Sequence, residues 1–191
     1  MTEPNIHPRP NIRSLDRPFD YQTDDFSAVW KEMDEAAPRA AAIMAGAFVE
    51  DALQWAIEGF FDRGLTSEEK IRVFEGGGAP LGSFYSKIVI GHALGLYGPI
   101  VRSDLHIIRQ IRNAFAHSPR SVTFEMPEIV SECEKFRYLR TVRNPTKKTS
   151  VTAPQNPPSL HPRRGFFDTV KIIHLGLHAA WVRYPELDSL P

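Results

Sequence analysis

The stretch SDLHIIRQIRNAFAHS, residues 103–118, has the clearest helical period in the chain. At about 100° per residue its apolar side chains fall on one arc, the pattern of a helix that faces a core. Those side chains are Leu105, Ile108, Ile111 and Phe115. The helix is predicted to end next to Pro119, since proline disfavours helical dihedrals in the residue before it. Arg112 falls inside the apolar arc, with Asn113 and His117 on its flank, and such a break in pattern is typical of a functional or strained site.

The same period recurs along most of the chain, whereas no alternating strand pattern of useful length occurs. Prolines, capping residues and glycines mark the ends of the periodic segments. Thr66 to Glu69, for example, resembles a capping box that opens a short helix. The sequence therefore predicts an all-α fold, a bundle of four to five main helices with additional short helices. Besides 103–118, helices are predicted at about 24–36, 38–64, 67–74, 83–97, 127–136 and 165–183.

The domain organisation follows from composition. Residues 1–21 contain four prolines and little periodicity, which predicts an extended N-terminal arm. Residues 22–136 are predicted to form the helical core. Residues 137–164 contain seven Arg/Lys, five Pro and no acidic residue, which predicts a basic, proline-rich loop, ordered or disordered. Residues 165–191 are predicted to supply a C-terminal helix that packs on the core.

The formal net charge of zero gives the chain no overall field that would attract nucleic acid or an anionic membrane. The two halves differ, however. Residues 1–75 hold 15 acidic and 8 basic side chains, a net charge of −7, and residues 76–191 hold 8 acidic and 15 basic, a net charge of +7. Phosphate binding by a local patch of the second half therefore stays open.

The remaining composition favours a cytoplasmic protein without metal or cofactor. A single cysteine, Cys133, excludes an intramolecular disulfide and a cysteine-built metal site. His174 and His178 are four residues apart, but they lack the glutamate of a HExxH motif and a third ligand. No apolar run approaches the roughly 18 residues of a membrane span, and no signal-peptide core is evident at the N-terminus.

The segment IRNAFAHS contains Arg112 and Asn113, then three residues, then His117. This spacing resembles the Arg-polar-x-x-x-His motif of the HEPN superfamily of helical domains. Several HEPN families are metal-independent ribonucleases, often toxins, in which two copies of the motif meet across a dimer cleft. The resemblance implies a HEPN-like bundle and a homodimer.

A narrower resemblance is to the mannitol repressor (MltR) family of bacterial regulators. It rests on three segments, which are PLGSFYSKIVIGHALGLYG at 80–98, DLHIIRQIRNAFAHS at 104–118 and VTFEMPEIVSEC at 122–133. They cover roughly the middle third of the chain, in order and with short spacings. The resemblance implies a transcription-related regulator without enzymatic activity.

Under a ribonuclease hypothesis, a phosphodiester would bind near the end of the central helix. Arg112 would stabilise charge on the non-bridging oxygens through its paired donors. The imidazole of His117 would transfer the proton of the 2′-hydroxyl or of the leaving oxygen. Asn113 would orient the phosphate or the imidazole. Further candidates for phosphate contacts are Arg109, Arg137, Arg140 and Arg143.

A structural hypothesis stands beside the catalytic one. Arg112 would pair with Glu50 or Asp51 of the long helix, Asn113 would bond a loop carbonyl, and His117 would cap the helix C-terminus. Five residues correspond to about 140° around a regular helix, so Arg112 and His117 do not share a face. Catalysis would need an unwound last turn or residues from different subunits.

The favoured hypothesis is a regulator that binds a protein partner, and the alternative is a HEPN-type endoribonuclease. No helix pair makes a convincing helix-turn-helix reader of base edges, so sequence-specific DNA binding is not expected. RNA binding stays open through the ribonuclease alternative.

Overall fold

The computed structural model describes residues 24–61, 65–76, 78–143 and 161–183, and the regular structure in these ranges is entirely helical. The predicted N-terminal arm and residues 144–160 of the predicted basic loop lie outside the described residues. The helices are α1 (Phe26–Glu35), α2 (Pro38–Phe61), α3 (Ser67–Phe74), α4 (Phe84–Ala93), α5 (Pro99–His117), α6 (Pro127–Cys133), α7 (Tyr138–Arg143) and α8 (Pro162–Arg183). The predicted all-α bundle is confirmed.

Helix α2 forms the centre of the bundle and packs against α8, α5, α4 and α1. Its buried face is built mainly from small residues, and Ala41, Ala42 and Ala45 are fully buried. Small side chains let neighbouring helices approach closely, so α2 can be covered on several sides at once. The predicted apolar arc of α5 is buried against this centre at Leu105, Ile108, Ile111 and Phe115.

By length and composition alone, α2 could cross a membrane. The sequence-based expectation that no apolar run approaches the length of a membrane span is therefore wrong. Half of its most apolar stretch is buried inside the bundle, however. That burial is typical of a core helix, whose apolar residues face protein rather than lipid.

Several helix ends differ from the prediction. Helix α5 begins at Pro99, four residues before the predicted start, because proline is favoured in the first turn of a helix. Helix α4 ends at Ala93, ahead of Gly95 with its φ of +76°. Helix α8 begins at Pro162, inside the predicted loop. The predicted capping box of α3 is present, with Thr66 and Glu69 each accepting the other's backbone N–H.

Candidate functional site

The inward-facing arginine of α5 belongs to a cluster of three charged side chains from three helices. Glu50 of α2 lies between Lys87 of α4 and Arg112 of α5. Its Oε1 is 3.1 Å from Lys87 Nζ, and its Oε2 is 2.6 Å from Arg112 Nη2. Their side chains are only 12%, 6% and 27% exposed, for Glu50, Lys87 and Arg112 respectively. The cluster ties α2, α4 and α5 together at one level of the bundle.

Gly46 makes room for Arg112 on the surface of α2. A Cβ at Gly46 would lie 2.7 Å from Arg112 Cγ and 2.9 Å from Arg112 Cβ, which is closer than real Cβ atoms approach. The aliphatic part of Arg112 therefore lies directly on the α2 backbone, and its guanidinium reaches Glu50 one turn further along. A glycine inside a helix is unfavourable by about 1 kcal/mol, and this cost was the available sequence signal for the close approach.

Asn113 completes the polar cluster. Its Oδ1 accepts a hydrogen bond from Arg112 Nη1 at 3.1 Å. Both terminal nitrogens of the guanidinium thus have an oxygen acceptor within the protein. The structure brings together Arg112, Asn113 and Glu50, whereas Asp51, the other proposed partner of Arg112, is exposed.

His117 lies apart from this cluster. It is exposed on the last turn of α5, which is helical through that residue. Five residues of regular helix separate it from Arg112 by about 140°, so the two side chains leave the helix in different directions. The last turn is not unwound, as cooperation within one chain would require.

The C-terminus of α5 is capped by Arg39 of α2, which the sequence did not point to. Its guanidinium donates to the carbonyl oxygens of Phe115, Ser118 and Arg120, with the last two at 3.0 and 2.6 Å. The Phe115 carbonyl is in the last turn of α5, where carbonyls have no partner inside the helix, and a cation also complements the helix dipole there. The role considered for His117 is therefore filled by a residue from a distant segment.

Asp104 of α5 caps the start of α7. Its fully buried carboxylate accepts the backbone N–H of Tyr138 at 2.8 Å and that of Arg137 at 3.1 Å. Burial raises the pKa of Asp104 above its ordinary value, although these hydrogen bonds act in the opposite direction. Asp104 thereby holds a short helix within a segment predicted to be loop.

The four arginines proposed for phosphate contacts do not share one surface. Arg109 lies on α5, five residues from Asp104 and hence about 140° around the helix from the side that holds α7. Arg137 and Arg140 are exposed at α7, where Arg140 Nη2 donates to Glu134 O at 2.7 Å. The side chain of Arg143 lies outside the described residues.

Two other titratable groups belong to the core. His174 is buried and its ring stacks on Phe48 with a centroid distance of 3.9 Å, and burial lowers its pKa to about 4. Burial likewise raises the pKa of Cys133 to about 12, which leaves its thiol protonated near neutral pH. Within the ranges that the structure describes, no group of three His, Cys, Asp or Glu side chains is arranged to hold a metal ion.

No protein-family model matches the chain, and no curated protein matches it. Among solved structures, a chain in the X-ray structure of the MtlR–HPr complex from Escherichia coli superposes on it with a TM-score of 0.58. The match covers 80% of this chain and 97% of that chain at 14% sequence identity. The two chains share a fold. At this identity the likeness shows a shared fold alone, and it does not bear on the HEPN motif.

Proposed function

We propose that this chain is a non-enzymatic, transcription-related regulator that acts by binding another protein. The observation that carries the proposal is the pairing of Arg112 with Glu50, which engages the residue that a ribonuclease would direct at RNA. The fold is shared with a chain from a complex between two proteins, MtlR and HPr. The shared fold supports binding of a protein partner, and the resemblance to the MltR family supports a role in regulation.

The geometry around Arg112 weighs against catalysis. To stabilise a phosphodiester, the guanidinium would have to leave both Glu50 Oε2 and Asn113 Oδ1. Breaking a buried ion pair by removing one partner is unfavourable by about 3–5 kcal/mol, because the remaining charge stays buried. Lys87 would compensate only part of the Glu50 charge. His117 offers no help within the same chain, since it lies about 140° away around α5.

The first test is cleavage of a mixed RNA pool in EDTA by the wild type and by His117→Ala. We expect no cleavage by either protein, with both folded. Cleavage by the wild type alone, leaving 2′,3′-cyclic phosphate ends, would instead identify a ribonuclease and refute the proposal. A homodimer, which the HEPN resemblance implies, is tested in parallel by light scattering during size exclusion.

The second test looks for the partner. Crosslinking in cells followed by mass spectrometry gives candidates, and purified HPr is the first defined probe because the structural neighbour was solved with it. We expect a purified candidate to form a complex of fixed stoichiometry with the wild type. If every purified candidate elutes separately from the chain, the regulator proposal loses its basis.

A further inference from the structure

A line of polar and basic side chains runs along the solvent side of α5. Arg102, His106, Arg109 and Asn113 follow one another at spacings of four, three and four residues, so they fall within about 60° of one another on the helix. All four are partly exposed. Tyr85 of α4 lies beside them and is 55% exposed. We call Arg102, His106, Arg109 and Asn113 the basic stripe.

Tyr85 holds the middle of the basic stripe in place. The Arg109 guanidinium carbon is 5.5 Å from the centroid of the Tyr85 ring, a cation–π contact, and the His106 ring centroid is 5.6 Å from it. Arg109 Nε is buried and has no hydrogen-bond acceptor within the described part of the chain. An internal hydrogen bond from Nε therefore does not explain the position of this guanidinium. The partly exposed Arg109 instead places it beside the ring of Tyr85.

In the described ranges of the chain, the positive charge of the basic stripe is not paired with carboxylates in ion-pair contact. Helices α4 and α5 contain one acidic residue between them, Asp104, which is buried and caps α7. On the neighbouring α2, Glu50 is already bound by Lys87 and Arg112. Among the residues that the structure describes, no carboxylate forms an ion pair with Arg102, His106 or Arg109.

We propose that the basic stripe, together with Tyr85, is the surface that binds an acidic segment of the partner protein. This rests on the proposed protein-binding function and names the chemistry of the partner. Arg102 and Arg109 are seven residues apart, which is about 10.5 Å along a helix. Carboxylates seven residues apart on a partner helix have the same spacing, and each guanidinium can take one carboxylate through paired hydrogen bonds.

An acidic protein segment fits this surface better than RNA does. Proteins that bind single strands stack bases on accessible aromatic rings, but the Tyr85 ring is already in contact with Arg109 and His106. Two guanidinium groups neutralise few phosphates, and a chain of zero formal charge adds no long-range attraction. A partner that presents two fixed carboxylates needs neither stacking nor a wide basic field.

The test uses a labelled helical peptide with glutamates at positions i and i+7, and a peptide with glutamines there as the matched control. Binding to the full chain is followed by fluorescence anisotropy. The variants are Arg102→Glu/Arg109→Glu and, as a control for charge reversal outside the stripe, Arg164→Glu on α8, whose side chain is 75% exposed. We expect the double variant to bind the acidic peptide at least about tenfold more weakly, Arg164→Glu to change affinity less than about twofold, and the glutamine peptide to bind weakly throughout.

Each other result would overturn the proposal. An equal loss of affinity for the acidic peptide in the double variant and in Arg164→Glu would mean that overall charge, not the basic stripe, governs binding. Tighter binding of a short single-stranded RNA, lost in the double variant, would assign the surface to nucleic acid. Conversion of a dimer to a monomer in the double variant would assign it to a second copy of the chain.

A final experiment distinguishes failure of this proposal from failure of the proposed function. The purified partner complex is assembled with the double variant, and with Arg102→Gln/Arg109→Gln should the glutamates disturb folding. If the complex forms as it does with the wild type, the partner binds elsewhere, so the stripe proposal fails while the regulator proposal stands. If no protein complex forms even with the wild type and RNA is cleaved, the proposed function itself has failed.

Discussion

Arg112 Nη2 of α5 lies 2.6 Å from Glu50 Oε2 of α2, in contact across 62 residues of sequence. The pair joins α5 to α2, the helix at the centre of the bundle, and Lys87 attaches α4 to the same carboxylate. The position where the apolar pattern of α5 breaks is thus the position where three helices are held in register.

Arg112→Ala should lower the free energy of unfolding by about 3 kcal/mol, because it leaves the buried Glu50 carboxylate with Lys87 alone. Urea denaturation monitored by circular dichroism measures the change. The control is Arg120→Ala, an exposed position expected to change stability by less than about 0.5 kcal/mol. A stability loss no larger than that of the control would mean that the ion pair has no structural role.

Gly46→Ala should also destabilise the protein, by about 1–3 kcal/mol, although alanine is the better helix former. The added Cβ would meet Arg112 Cγ at 2.7 Å, so either Arg112 or α2 must shift. The matched control is Gly176→Ala in α8, where nothing lies within 4 Å of the added Cβ. That variant should gain about 0.5–1 kcal/mol from helix propensity alone. If thermal unfolding shows that Gly46→Ala stabilises the protein as Gly176→Ala does, the close approach of Arg112 does not exclude a side chain at position 46.

The periodicity of the apolar residues was sufficient to predict the fold and part of the charged cluster around Arg112. Burial of one face of each helix imposes a 3.6-residue period on the sequence, so the apolar arc of α5 could be predicted residue by residue. The same arc marked Arg112 as inward-facing, and the position of Glu50 and Asp51 in the middle of the long helix made them its candidate carboxylate partners. Choosing between two adjacent residues requires the rotation of α2 against α5, which depends on packing rather than on local pattern.

The two capping contacts could not be predicted, because each joins segments far apart in the sequence. Arg39 reaches carbonyls 76 to 81 residues further along, and Asp104 reaches amides 33 and 34 residues further along. Helix α7 lies in a segment that the sequence predicts to be a loop, since the group that holds its first turn is on another helix. Gly98 and Pro99 form the cap and first residue of α5, which therefore begins four residues before its predicted start.

The stability of the protein should depend on pH through Asp104. Its pKa is raised in the folded state, so the folded protein binds a proton more tightly there than the unfolded chain does. The stabilisation associated with that proton is present below the ordinary pKa of 3.8 and is lost as pH rises through the folded value.

Asp104→Asn keeps an acceptor oxygen for α7 but removes the titration. The unfolding free energy of the wild type minus that of Asp104→Asn should therefore fall as pH increases from about 3.8, as measured by urea denaturation at several pH values. A difference that stays flat, or that rises with pH, would show that the backbone hydrogen bonds from Arg137 and Tyr138 outweigh burial.

Binding of the acidic peptide to the basic stripe should strengthen as pH falls from about 7 to about 5, a range in which glutamates with an ordinary pKa of about 4.3 stay mostly ionised. The pKa of His106 is lowered by burial and by the charges of Arg109 and Arg102, so its imidazole is neutral near pH 7 and gains a positive charge only at lower pH. The groups that face it are those two arginines and the Tyr85 ring. His106→Gln removes this titration, so its peptide affinity should vary less over the same range, as measured by anisotropy at fixed ionic strength. If the wild type and His106→Gln show the same pH dependence, His106 does not take part in binding the acidic segment.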